Sequence, residues 1–236
     1  MVTFQHVIRP PTLVETVSEK LAEIVLRDLR PQGGWLPAER ELSERLGVSR
    51  SVVREATRRL ATQGLVEIQH GLGVRAVNRL HQPLNGSLAL LIPDLADRLQ
   101  ALIETRLTIE PEAAAQAAQR ATRAQSAALE RIHQRMLEAA SDEEAAEADC
   151  AFHQAVAEAS GNLIYRLVLD SLAELSLASR VRTIGRVGKG TAFGHHESIL
   201  EAVLARDAAA ARARMHAHIT AAFEDLDLPS FKGKSP

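Results

Sequence analysis

The stretch LPAERELSERLGVSRSVVREATRRLATQGLVEIQHGLG, Leu36 to Gly73, decides the fold of the first third of the chain. It holds two amphipathic helical patterns separated by Gly47, then a stop at Gly64 and two β-like runs around a glycine turn. A further amphipathic helix is predicted upstream, over residues 14–25. Three helices followed by a hairpin predict a winged helix-turn-helix.

The second helix of this stretch carries donors suited to DNA. Arg50 and Arg54 can reach guanine edges or phosphates, while Ser49 and Ser51 can bond a phosphate at the positive end of the helix. Arg40 lies early in the preceding helix, and a glycine lets the wing tip approach DNA closely. The predicted DNA-binding residues are Arg40, Ser49, Arg50, Ser51, Arg54, His70 and Gly71. The alternative is a solvated arginine-rich face on a small helical bundle.

Composition excludes several classes of protein. The 236 residues include one cysteine, so no internal disulfide framework is possible. No apolar run approaches the ~20 residues that a membrane span needs, and the N-terminus lacks the apolar core of a signal peptide. Aromatic residues make up 3% of the chain, while alanine and leucine dominate, which favours helices packed on helices. These features predict a cytoplasmic protein without a membrane partner.

The chain has a net charge of −2, but its charged residues are unevenly distributed along the sequence. Residues 1–80 hold 12 Lys and Arg against 9 Asp and Glu, whereas the remaining residues hold 16 against 21. A small basic domain joined to a larger acidic one indicates an anionic partner for the first domain.

The rest of the chain predicts an all-α helical bundle. The predicted domains are residues 1–78 for DNA binding, a connector at 79–87 rich in turn-forming residues, and 88–236 for an effector-binding and dimerisation bundle. The fold class is therefore mainly α, a winged helix-turn-helix followed by a bundle of about six helices. Their predicted ranges are 94–120, 123–140, 142–160, 163–183, 191–205 and 208–226.

Four polar residues of the bundle fall on helix faces that also carry apolar residues: Asp149, His153, His196 and His218. A buried carboxylate and several buried imidazoles without partners are costly, and a divalent cation would satisfy all of them. This donor set suits zinc, nickel, cobalt or manganese. Alternatively, each histidine is a hydrogen-bonded core residue, and Asp149 simply pairs with His153. The face of His195 is nearly as apolar as that of His196, whereas His81, His133 and His216 are predicted at the surface.

One arginine also lies on a predicted inner face. Arg106 continues the stripe of Leu99, Leu102 and Ile103, and an arginine in such a place needs an anion. Glu110, one turn further on, is the alternative partner. Arg182 continues a similar stripe from Val168.

The first eighty residues resemble the DNA-binding domain of the GntR family of bacterial transcription regulators. The matching segments are Leu-Pro-Ala-Glu-Arg-Glu-Leu from Leu36, Gly-Val-Ser-Arg from Gly47, Val-Arg-Glu-Ala from Val53, Gly-Leu-Val from Gly64 and the Gly-x-Gly wing from Gly71. Two residues depart from the usual pattern, Thr57 for leucine and Arg75 for an apolar residue. The resemblance implies base contacts from Arg40, Arg50 and Arg54, and a wing contact from His70 and Gly71.

The bundle is similar to the FCD domain, the effector domain of FadR-type regulators in that family. The matching elements are Asp149-x-x-x-His153 before Gly161-Asn162, His196 before an Ile-Leu stretch, and Met215-x-x-His218. The resemblance implies that these four residues hold a metal, zinc first among the candidates, and it selects His196 over His195. It also implies that Arg106 grips a carboxylate of the effector.

Together these features predict a DNA-binding transcription regulator that is not an enzyme. It is expected to bind a palindromic operator as a homodimer and to act as a repressor, with DNA affinity controlled by a small organic acid at the metal site. Three alternatives remain open: a regulator for which the cation itself is the signal, a regulator whose metal is purely structural, and a metal-dependent enzyme.

Overall fold

The computed structural model describes residues 10–29, 33–77, 79, 87–88 and 90–226. The chain divides into two compact units, residues 1–83 and 84–236, each with its own core. The first is a three-helix unit with a two-stranded hairpin, and the second is all helical, as predicted for the fold class. Most of the connector predicted at 79–87, with His81, lies outside the described residues. Among the described helices none is both long and apolar enough to cross a bilayer.

The first unit contains α1 (Leu13–Ile24), a π-helical turn (Val25–Leu29), α2 (Glu39–Leu46) and α3 (Arg50–Thr62). Thr12 begins α1 with a capping box to Glu15, and Ser49 begins α3 by accepting a hydrogen bond from the Val52 amide. Gly47 ends α2 in the left-handed region at φ 65°, which permits the tight turn into α3. A left-handed glycine and a serine cap thus bound the turn between α2 and α3.

The wing consists of strands β1 (Val66–Gln69) and β2 (Gly73–Ala76), paired antiparallel. Gly71 takes φ 79° in the turn between them. Leu36 donates its amide to the carbonyl of Val74, which ties the segment before α2 to the wing. The core shared by α1, α2, α3 and the wing is formed by buried apolar residues, among them Val17, Leu21, Leu42, Val53, Leu60 and Val66.

Eight helices of the second unit lie wholly within its described residues. They are α4 (Leu95–Arg120), α5 (Arg123–Glu138), α6 (Asp142–Ala159), α7 (Leu163–Ser171), α8 (Ala173–Val187), α9 (Lys189–Phe193), α10 (His196–Leu204) and α11 (Ala208–Leu226). Helix α4 packs against α11 and α6, and α6 in turn packs against α5 and α8. Buried alanines line the facing sides of α4 and α6, and such small side chains let neighbouring helices lie close together.

Two of the predicted helix ranges were wrong. The helix expected at 163–183 is broken at Leu172 into α7 and α8, and the one expected at 191–205 is two helices separated at Gly194 and His195. Nothing in the local pattern marks the first break, because Leu172 is an apolar residue with no turn chemistry of its own.

Candidate functional site

Four predicted ligand residues meet in the core of the second unit. Asp149 and His153 lie one turn apart on α6, His196 begins α10, and His218 lies on α11. All four are buried, and one donor atom from each lies within 4.8 Å of the others. We call these four residues the cage. His195, next in sequence to His196, is exposed, so burial agrees with the choice of His196.

The distances inside the cage fit a shared metal ion. The Nε2 atom of His153 lies 3.3 Å from Nε2 of His196, 3.2 Å from Nε2 of His218 and 3.5 Å from Oδ1 of Asp149. The Oδ2 atom of Asp149 lies 3.2 Å from Nε2 of His196. Donors bound at about 2.1 Å to one ion stand about 3.0 Å apart at right angles and about 3.4 Å apart at tetrahedral angles. The donor set and its spacing therefore suit a divalent transition metal.

Glu110 orients the imidazole of His153 from the side of the ring that faces away from the cage. Its Oε2 atom bonds Nδ1 of His153, and its Oε1 atom accepts a hydrogen bond from Nε of Arg106 at 2.6 Å. Burial opposes ionisation of Glu110, but Arg106 and His153 hold its pKa below the usual value, so it is a carboxylate and only accepts. His153 must then donate from Nδ1, which leaves the lone pair of Nε2 facing the cage. A carboxylate behind a metal-binding histidine is a common supporting arrangement.

The imidazoles of the cage are neutral at physiological pH. Burial lowers the pKa of His153, although Glu110 opposes the shift. Burial also lowers the pKa values of His196 and His218 well below the usual value, and the neighbouring imidazoles and arginines add to the effect. Neutral imidazole is the form that binds a metal.

Two buried arginines flank the cage. Arg106 on α4 is 2% exposed and pairs with Glu110, the partner that the sequence offered as the alternative to an effector. Its Nη2 atom is buried without a hydrogen-bond partner among the described residues. Arg180 on α8 is 6% exposed, bonds Oδ1 of Asp149 through Nε, and donates from Nη1 to the Ser176 carbonyl at 3.3 Å. Both arginines line a small cavity together with Asp149 and His218.

Sequence reasoning missed Arg180 and placed two other residues incorrectly. It named Arg182 beside Arg106, as a continuation of the stripe from Val168, and Arg182 is exposed. His133, predicted at the surface, is 8% exposed and lies beside Phe152 with a ring-centroid distance of 6.3 Å. It also treated Glu110 only as a partner of Arg106. Ser176 and Arg180 lie four residues apart and therefore on the same face of α8. This spacing is the signal in the sequence that could have indicated Arg180.

The neutral histidines predict a stability loss in acid for the chelator-treated protein. In the unfolded chain these groups bind protons below pH ~6.5, whereas the folded pKa values are depressed, so stability falls as pH drops through that value. The loss is up to about 1.4 kcal/mol per pH unit for each histidine. Urea unfolding at pH 7.5 and 5.5 measures it. The His218→Gln variant is expected to show a smaller pH dependence, and the exposed His216→Gln variant the dependence of the wild type. Equal pH dependence in all three proteins would contradict the prediction.

In the first unit, the seven residues predicted to bind DNA are all exposed. Ser49 caps α3, and its hydroxyl lies 2.8 Å from that of Ser51 at the positive end of the helix. Arg50 is the first residue of α3, and Arg40 on α2 pairs with Glu44 at 3.2 Å. His70 and Gly71 lie in the wing turn. The structure thus leaves every one of these side chains or backbone positions open to a partner, and their contacts with DNA stay a prediction.

Arg54 has a partner that sequence reasoning did not assign. Its guanidinium group makes a two-pronged contact with Glu39 on α2, with Nη2 to Oε2 at 2.7 Å and Nε to Oε1 at 3.1 Å. The hydrogen bond from Arg54 lowers the pKa of Glu39. Because the arginine fork is planar, this contact restricts the directions in which the remaining donors of Arg54 can point. Glu39 is therefore expected to orient Arg54 on the exposed surface of the helix-turn-helix.

Comparison with known protein families matches both units. Residues 13–75 match the family described as "Bacterial regulatory proteins, gntR family", and residues 101–221 match the FCD domain. The first match covers the helix-turn-helix and most of the wing, and the second contains all four residues of the cage.

Individual proteins are similar over most of the chain. The HTH-type transcriptional regulator LutR of Bacillus subtilis is 35% identical over 207 residues, covering 82% of this chain and 91% of LutR. An Escherichia coli protein named for regulating an L-lactate dehydrogenase operon is 28% identical and covers 91% of this chain and 86% of its own length. A solved structure described as Streptococcus agalactiae GntR aligns with a TM-score of 0.72 at 30% identity, covering 88% of this chain and 98% of that one.

Proposed function

The chain belongs to the GntR family of bacterial transcription regulators and carries an FCD domain, and from this we propose that a small organic acid bound at the cage controls its affinity for DNA. The chain is a DNA-binding regulator and not an enzyme. The proposal concerns the signal: a divalent metal ion, zinc first, held by Asp149, His153, His196 and His218, with an effector anion beside it. We place the protein in the cytoplasm, where its DNA is.

The observation that carries the proposal is the meeting of metal donors and guanidinium groups in one buried place. The small cavity lined by Arg106, Arg180, Asp149 and His218 has a volume of about 20 Å³. A second cavity of about 130 Å³ shares Thr183, His218 and Ala222 with it and extends past His195. A small acid entering by the second cavity would bring its carboxylate to the two arginines.

Arg106 is suited to hold that carboxylate without leaving a charge uncompensated. Its charge is balanced by Glu110, its Nη2 atom lacks a partner among the described residues, and its side chain lines the cavity. A buried donor without an acceptor is costly, so an acceptor supplied by a ligand stabilises the bound state. The metal ion, when bound, supplies a Lewis acid for a second oxygen of the acid. The resulting effector class is small carboxylates, and the relative named for an L-lactate dehydrogenase operon makes L-lactate the first compound to test.

The link to DNA follows from the helices that hold the site. Arg106 lies on α4, Asp149 on α6, Arg180 on α8 and His218 on α11, so one small ligand touches four packed helices. A ligand that binds one arrangement of these helices more tightly shifts the population toward it. In a homodimer on a palindromic operator, that shift changes how the two helix-turn-helix units fit their half-sites. We propose repression as the default, with the acid releasing DNA.

A screen of organic acids tests the proposal. Zinc-loaded and chelator-treated protein are compared by thermal shift, and the active acids are then added to the protein bound to DNA. An acid at a hundredfold excess over its Kd is expected to add about 2.7 kcal/mol of stability, or about 5–10 °C in melting temperature, only when zinc is present. The same acid is expected to lower DNA affinity.

Two other outcomes identify the rival functions. If chelation alone changes DNA affinity and no acid has an effect, the cation is the signal. If chelation lowers the melting temperature without any effect on DNA binding, the metal is only structural. Tighter DNA binding with the acid would reverse the proposed direction and indicate an activator or a co-repressor.

A further inference from the structure

We propose that Arg180 sets a trade-off at this site. It lowers the affinity for the metal ion and raises the affinity for the anion, so that each bound ligand increases the affinity for the other. The proposal rests on the proposed function and assigns a specificity role to a residue that the sequence pattern did not indicate. It is carried by the juxtaposition of the Arg180 guanidinium, the Asp149 carboxylate and the cavity beside them.

The first step is the contact with Asp149. The Nε atom of Arg180 donates to Oδ1, the oxygen that also lies 3.5 Å from Nε2 of His153 inside the cage. A hydrogen bond from a cation uses a lone pair of that oxygen and draws charge from the carboxylate. Asp149 is therefore a weaker metal ligand than a free carboxylate, and the positive charge of Arg180 repels a cation at the same place.

The second step is the balance of charge around the cage. The charged protein groups here form two pairs, Arg106 with Glu110 and Arg180 with Asp149. Within each pair the two charges cancel. When Asp149 coordinates a divalent cation, its negative charge is neutralised by that cation, and Arg180 is left without a counter-ion. A buried charge that loses its partner is strongly destabilising.

The third step is that the cavity gives Arg180 a replacement partner. Nη1 donates to the Ser176 carbonyl at 3.3 Å, so α8 holds one end of the guanidinium in place. The same side chain lines the small cavity with Arg106, within reach of an anion placed there. A carboxylate bound there would take over from Asp149 as the counter-ion, while Asp149 binds the metal.

Positive coupling between the two ligands follows. The metal makes Arg180 available to an anion, and the anion removes the penalty that the metal creates. By linkage, each ligand must raise the affinity for the other by the same factor. Arg180 adds to the coupling that a direct contact between metal and carboxylate supplies, because Arg180 loses its counter-ion to the metal while Arg106 keeps Glu110.

The test compares three variants of the full chain with the wild type. Arg180→Gln removes the charge at similar length, Arg180→Lys keeps the charge without the planar fork, and Arg182→Gln removes a charge from an exposed position on the same helix. Zinc affinity is measured by competition with a fluorescent chelator, without and with acetate as a simple carboxylate probe. Acetate binding to zinc-loaded protein is measured by calorimetry.

Arg180→Gln is expected to bind zinc at least about tenfold more tightly than the wild type and to bind acetate at least about tenfold more weakly. Arg180→Lys is expected to lie between the two for both ligands, and Arg182→Gln to match the wild type. Acetate should tighten zinc binding more in the wild type than in Arg180→Gln. If the Arg180→Gln variant does not fold, the zinc and acetate affinities of Arg180→Lys, compared with those of the wild type, still test the proposal.

Unchanged or weaker zinc binding in Arg180→Gln and Arg180→Lys would overturn the trade-off, and so would unchanged acetate affinity. Absence of acetate binding to the zinc-loaded wild type would also overturn it. The proposed function fails by a different result, in which no acid of the whole panel alters DNA binding. The two proposals are therefore separable, since zinc affinity in the variants is measured without any effector.

Discussion

Replacing Arg54 with alanine is expected to weaken binding to the operator by roughly a hundredfold, and by more if both half-sites depend on it equally. A two-pronged contact from an arginine to guanine contributes about 1–3 kcal/mol of discrimination, and a two-fold dimer makes the contact twice. The contact with Glu39 across the two helices orients the Arg54 fork, so truncation removes a side chain whose direction is already restricted.

The matched control is Arg59→Ala. Arg59 is exposed on the same helix, and its nearest acidic partner is Glu15 of α1 at 3.6 Å. It was not predicted to contact DNA. Fluorescence anisotropy is measured on a fragment that the wild type selects from random DNA, and on a scrambled fragment, over a range of salt concentrations. Arg54→Ala is expected to lose affinity for the selected fragment and to keep most of its affinity for the scrambled one.

Salt dependence separates base contacts from phosphate contacts. Loss of one phosphate contact lowers the salt slope by about one unit and weakens all sequences alike, whereas loss of a base contact leaves the slope nearly unchanged. An equal loss for Arg54→Ala and Arg59→Ala, or an equal loss on both fragments, would show that Arg54 does not read bases.

The helix-turn-helix could be predicted almost completely because its signals are local. Ser49 as a cap, Gly47 in the left-handed region and Gly71 in the wing turn each act within a few residues of chain. Family resemblance and helix chemistry therefore pointed to the same elements. The contact of Arg54 with Glu39 was not predicted, since the two residues are fifteen apart and meet only when α2 and α3 pack together.

The cage was predicted for a different reason. A carboxylate and three imidazoles on apolar helix faces require partners, which left a metal site and a hydrogen-bonded core as alternatives. The resemblance to the FCD domain implied the four ligands and selected His196 over His195. The residues that surround the cage depend on which faces of neighbouring helices pack against one another. Arg180 shares the buried face of α8 with Ser176 and Ile184, whereas Arg182 is exposed. Glu110 behind His153 depends likewise on the packing of α4 against α6.

Replacing His196 with alanine is expected to lower metal affinity by roughly a hundredfold to a thousandfold and to abolish the response to the effector. Structural zinc sites with four ligands bind with about 10–16 kcal/mol, so one ligand accounts for about 3–4 kcal/mol. His196 is fully buried, and its Nε2 atom lies 3.2 Å from Asp149 and 3.3 Å from His153, which makes it a central member of the cage. Basal DNA binding should persist, because the helix-turn-helix has a core of its own.

His195→Ala is the matched control for zinc binding, since it removes an exposed imidazole one residue away, but it is no control for the acid response because His195 lines the second cavity. Zinc content after purification without chelator, zinc affinity by competition, and DNA affinity with and without the active acid are measured for both variants. Because His196→Ala also leaves a cavity in the core, its melting temperature should fall even in chelator, and circular dichroism must show that the helices remain. Full zinc content in His196→Ala, or the same loss in His195→Ala, would remove His196 from the ligand set. A normal response to the acid despite lost zinc would instead separate the effector from the metal, and Arg106 and Arg180 alone would then have to hold the anion.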